Sequence, residues 1–105
     1  MWLFLTDAHF EIVAHKEDDR FLNVRGRISG DIEKVFPDAT VFESPTGDFQ
    51  FHANLPRKRV AEVISRHISD IPYQSFKEAV ADDDRRQAYI EVWETMWKEQ
   101  NRRRD

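Results

Sequence analysis

Four histidines, His9, His15, His52 and His67, are the residues in this chain with the widest chemical reach. Imidazole can bind a metal or carry a proton near neutral pH. None of the four stands at i, i+4 from another, and no H-E-x-x-H occurs. His67 falls on the apolar stripe of an expected helix, where a packed structural histidine is the natural reading. The chain has no cysteine, which excludes a disulfide framework, a thiolate zinc site and a cysteine nucleophile. Asp82-Asp83-Asp84 lacks the spacing and the glycine of a calcium loop and reads as a helix cap. Ser29, Ser44, Ser65, Ser69 and Ser75 are all outside any G-x-S-x-G, and Ser29 and Ser75 suit helix starts. Gly26, Gly30 and Gly47 make no phosphate-binding loop. We therefore expect no catalytic residue, no cofactor and no metal. An enzyme here would need a site assembled only in three dimensions, from His and carboxylates distant in sequence.

Binding chemistry is better represented. Side chains in a strand point alternately to the two faces of the sheet. From Phe21 to Arg27, Leu22 and Val24 share one face while Asn23, Arg25 and Arg27 share the other. From Phe49 to Leu55 the alternation is strict, with Phe49, Phe51, Ala53 and Leu55 on one side and Gln50, His52 and Asn54 on the other. Glu11 and His15 belong with the polar set, and Trp2 and Phe4 share a parity that can join it. Trp2, Arg25, Arg27, Gln50 and His52 are thus the candidate partner-binding residues. Aromatics beside Arg and His can stack on bases. They can equally form a protein hot spot. Two plainer readings stand beside these. Antiparallel sheets often leave one polar face to water. Alternatively the last helix covers this face, with Trp93 and Trp97 on Trp2 and Phe4.

The elements that must position these residues follow from pattern. Leu3 to Leu5 and Phe10 to Ala14 read as strands joined by a turn, followed by a charged loop at 16–20. After the third strand, Ser29 is the expected N-cap of a helix carrying Ile28, Ile32, Val35 and Phe36, stopped by Pro37-Asp38. Thr40 to Glu43 is a short strand, and Ser44-Pro45-Thr46-Gly47-Asp48 is the clearest turn signal. Pro56 opens a second helix whose stripe is Val60, Val63, Ile64, His67 and Ile68. Ser75 to Ala81 is a short helical turn. Asp82 to Asp84 then cap a long final helix, where Tyr89, Val92, Trp93, Met96 and Trp97 recur at helical spacing. We expect that stripe to be buried, Trp93 and Trp97 included.

The expected fold is α+β: an antiparallel sheet of about five strands backed by helices, ferredoxin-like, with a long C-terminal helix. The length of 105 residues fits a single domain over 1–105. No apolar stretch approaches bilayer length, so no membrane partner is expected and a cytoplasmic setting is. The net charge of −4 argues against whole-surface attraction to nucleic acid.

Several stretches together resemble a family of small uncharacterised bacterial and phage proteins. They are Met1-Trp2-Leu3-Phe4, Ile12 to His15, Val24-Arg25-Gly26-Arg27 with Gly30 to Glu33, Phe36-Pro37, Tyr73 to Lys77, and Tyr89 through Trp93. The resemblance spans nearly the whole chain and implies one intact domain, but no activity and no catalytic residue. Where that family carries Tyr and alternating Arg after Asp48, this chain has Phe49, Gln50 and His52, a weaker basic face. The leading expectation is a non-enzymatic module that binds another protein, such as a phage or mobile-element inhibitor of host defence of the anti-CRISPR kind. The alternatives are a nucleic-acid binder using Arg25, Arg27 and His52, and a small enzyme.

Overall fold

Alternating apolar and polar side chains, broken by charged or Gly/Pro-containing turns, build the first part of the chain as strands. The computed structural model describes residues 1–45 and 47–104, so Thr46 of the expected turn lies outside the described residues. The chain gathers into two compact units, Met1–Pro72 and a second from Tyr73 onward. No helix among the described residues is long and apolar enough to cross a membrane.

The first unit holds β1 (Trp2–Phe4), β2 (His9–Ala14), β3 (Phe21–Gly26), α1 (Asp31–Val35), β4 (Phe42–Glu43), β5 (Phe51–Pro56) and α2 (Arg57–Ser69). The five strands form one sheet in the order β1-β2-β3-β5-β4, and every neighbouring pair is antiparallel. β5 lies between β3 and β4 and runs against both, so β3 and β4 are parallel and joined through α1. With α2 following β5, this part has the connectivity of the ferredoxin-like unit. It departs in one respect: the strand on the other side of β3 is β2, which precedes β3 in the chain.

Both helices of this unit pack on one face. Phe10, Ile12, Val24, Phe51, Ala53 and Leu55 meet Ile32, Val35 and Phe36 of α1 and Val60 and Val63 of α2. The expected parity holds, because Ile12, Val24 and Ala53 stand opposite one another across three strands. α1 packs directly over Gly26, where a β-carbon would lie 3.4 Å from Ile32 Cγ1, at ordinary contact distance.

Local expectations are corrected in three places. Ser29 does not cap α1; Gly30 holds that position at φ 91°, a left-handed conformation that glycine adopts without steric cost. Asp31, the first residue of α1, is fully buried, and its Oδ2 accepts from the His9 backbone N–H at 3.1 Å, tying α1 to β2. Ile28 is exposed ahead of α1, and His67 and Ile68 are exposed because the packed stripe of α2 narrows to Val60, Val63 and Ile64 and ends a turn before the helix does.

The second unit holds α3 (Phe76–Ala79) and α4 (Asp83–Arg102). Asp82 caps α4 as expected, its side chain accepting from the Arg85 backbone N–H at 2.8 Å. α3 is one turn long and covers only the start of the stripe. Phe76 stacks on Tyr89 at 5.6 Å, and Lys77 Nζ lies 3.9 Å above the Trp93 ring. Beyond that point the stripe is open. Trp93 is 48% exposed and Trp97 52%, contrary to the expectation of burial. The two rings stack on each other at 6.4 Å.

Candidate functional site

The polar face of the sheet is built from one residue per strand. Register places Trp2 of β1 opposite Glu11, Glu11 opposite Arg25, Arg25 opposite His52, and His52 opposite Phe42 of β4. A single row therefore crosses all five strands, with an aromatic at each end and charged or polar groups between. Adjacent strands lie about 4.8 Å apart, so side chains in such a row are neighbours.

The row is joined by hydrogen bonds. Trp2 Nε1 donates to Glu11 Oε1 at 3.3 Å, and Arg25 Nη1 donates to Glu11 Oε2 at 3.2 Å. Arg25 Nε donates to Asn23 Oδ1 at 2.7 Å, and Asn23 Nδ2 donates to Asn54 Oδ1 at 3.0 Å. His52 has its Nδ1 3.3 Å from Asn23 Oδ1 and its Nε2 2.9 Å from the Phe49 carbonyl. Both of those oxygens only accept, so a neutral imidazole can donate to one of them at a time. Phe42 covers the outer side of His52, with ring centroids 5.4 Å apart. At the ends of the row the aromatics stay accessible, Trp2 at 71% and Phe42 at 47% exposure.

The sequence-derived candidates divide accordingly. Trp2, Arg25 and His52 come together in the row. Arg27 lies just beyond the end of β3, pairs with Asp48 at 3.3 Å and holds its guanidinium 4.1 Å from the Phe49 ring centroid. Gln50 precedes β5 and is exposed, and its carbonyl accepts from the Ser44 N–H at 2.8 Å. His15 is drawn into the loop after β2, where Nδ1 accepts from the backbone N–H groups of Glu17 and Asp18 at 3.1 Å each. Phe42 is the member that sequence reasoning missed. Its only signal was an aromatic with the parity to pair beside His52, and that parity required knowing that β4 pairs with β5.

Other places offer less. Among the described residues no three His, Asp or Glu gather as a metal ion would need. An apolar groove of about 470 Å³, lined by Ile12, Leu22, Val60 and Ile64 among others, opens on the helix side of the first unit. Among the described residues that line it, Arg57 carries the only charged side chain. Compared with models of protein families, with curated proteins and with solved structures, the chain finds no match in any of the three.

Proposed function

We propose that this chain is a non-catalytic protein-binding module and that the polar sheet face is its contact surface. One observation carries the reading: Trp2 and Phe42 stand exposed at the two ends of a row whose central charges are already paired with one another. Trp and Arg are among the residue types enriched at the few positions that carry most binding energy in protein interfaces. The nucleic-acid reading has less support. Arg25 is neutralised by Glu11 and Arg27 by Asp48, and the chain carries a net charge of −4. Binding a polyanion depends on unpaired cations that displace its counterions. A phage or mobile-element inhibitor of host defence is the setting we propose for such a module, supported by its small size and by the resemblance alone.

Site-specific photocrosslinking in the native host tests the reading. A photoreactive residue at Trp2 or Gln50 is expected to give a discrete protein adduct, and one at Glu62 on α2 is not. Adducts from Glu62 alone would move the contact surface to the helices. Adducts to nucleic acid would replace the reading with its alternative.

A further inference from the structure

We propose that the open half of α4 is a self-association surface, pairing antiparallel with the same helix of a second copy of this chain. This surface belongs to the second unit and the polar sheet face to the first, so either can bind without the other. Every residue from Glu91 to Lys98 is exposed. Helices draw most of their stability from packing an apolar face, and a dozen residues alone in water are marginal. The same stretch carries Val92, Trp93, Met96 and Trp97, between 43% and 60% exposed. The half-exposed rings of Trp93 and Trp97 together leave about one whole Trp side chain open, roughly 150–250 Å². Met96 and Val92 enlarge the patch to a size that on a monomer is often functional.

Charge selects the occupant. The patch divides α4 into an acidic end and a basic end. From the cap to Glu94, the acids Asp82, Asp83, Asp84, Glu91 and Glu94 outnumber Arg85 and Arg86. From Thr95 onward, Lys98, Arg102, Arg103 and Arg104 outnumber Glu99 and Asp105. Local pairs form between Asp83 and Arg86 and between Glu99 and both Arg102 and Arg103, and they leave the excess of each end in place. A helix whose ends differ in sign is complementary to itself when reversed. The basic end of each copy then lies beside the acidic end of the other, and the two macrodipoles oppose. A parallel copy would set like ends together.

The apolar residues obey the same symmetry. Reversing the order of Val92, Trp93, Met96 and Trp97 sets Val92 against Trp97 and Trp93 against Met96, each pair twice about a two-fold axis. A thioether against an indole is a favourable contact. Phe76 and Lys77 cover the stripe as far as Trp93, so the contact is confined to about two turns of α4. An interface of that length stays below about 1,200 Å², the range of weak and transient complexes. The dimer is therefore reversible and depends on concentration.

Sedimentation velocity of the whole chain over a concentration series tests the pairing. A monomer–dimer equilibrium is expected, weakened at least tenfold by Trp97→Ala and by Met96→Glu, with thermal melts verifying that both variants fold. Added salt is expected to weaken the dimer further, because it screens the opposed ends. A dimer that salt strengthens would have like ends together and would overturn the antiparallel arrangement. A dimer that neither substitution weakens would lie on another surface, and α4 would lose the assignment. A chain that stays monomeric up to about millimolar concentration, the weak end of the affinity scale, would overturn self-association altogether. If that monomer instead binds vesicles of phosphatidylserine and phosphatidylcholine and Trp97→Ala abolishes the binding, the patch belongs to a lipid surface.

Discussion

Arg25 Nε donates to Asn23 Oδ1 at 2.7 Å, between residues two apart on the same strand. The period of two puts both side chains on one face, and Asn23 serves as the brace of the row. Replacing it with Ala removes the contacts to Arg25, His52 and Asn54 together. The sites are half-exposed, so water replaces much of what is lost, and a cost of about 0.5–1.5 kcal/mol is expected. The Arg25 Nε–H signal in an NMR spectrum reads the local effect. It is expected to exchange faster with solvent in Asn23→Ala than in the parent, and unchanged exchange would mean that Glu11 alone holds the guanidinium.

Burial separates two aromatic positions that look alike in sequence. Phe36 is fully buried, with its ring 6.0 Å from that of Phe10, whereas Trp97 is half exposed. Phe36→Ala is expected to cost about 3–5 kcal/mol, a large share of the roughly 5–15 kcal/mol that small domains possess. Trp97→Ala loses mainly its stacking on Trp93 and is expected to cost no more than about 1.5 kcal/mol. Denaturant titration of the two variants checks the order, and equal costs would place Trp97 in a core.

Acid should act on the loop after β2. The Arg20 guanidinium donates to Asp18 at 3.0 and 2.8 Å, and the Arg20 backbone N–H adds a third bond, so the Asp18 carboxyl is held below its ordinary value. A depressed value in the folded state means that the contribution to stability is complete above the unfolded value. It declines as pH falls through the lower, folded one. Both groups are solvent-facing, so the effect on overall stability is small. The carboxyl titration of Asp18, followed by carbon NMR, is expected to shift upward in Arg20→Gln, and only part of the way, since the backbone bond survives. A midpoint that stays in place would remove the guanidinium as the cause.

The sheet was legible because its signal is local. Period two in 21–27 and 49–55 assigns Leu22, Val24, Phe51 and Ala53 to one face and Arg25 and His52 to the other without knowledge of any partner strand. Membership of the row was only half legible. Arg25 and His52 carry parity, but whether they stand opposite each other depends on a register set by the β3–β5 pairing. The α4 stripe misled for the converse reason. Helical periodicity at Tyr89, Val92, Trp93, Met96 and Trp97 reports an apolar face, and burial depends on what is there to cover it. Phe76 and Lys77 reach only as far as Trp93. Ser29 misled as a cap because the chain turns into α1 through Gly30 at positive φ, leaving no role for a side-chain hydroxyl.

The placement of β5 between β3 and β4 imposes a sequence of events on folding. β1, β2 and β3 are consecutive neighbours and can zip up through short connections. The β3–β5 pairing must bring Phe21 against Pro56 and Gly26 against Phe51, closing a loop that contains α1 and β4. Closing that loop costs chain entropy before any contact compensates for it, so this pairing is the slow step of the first unit. β4 has two residues and pairs with β5, its neighbour in sequence. Phe42 meets His52 through the short β4–β5 connection, so this end of the row depends on a local pairing while its link to Arg25 depends on the long-range one.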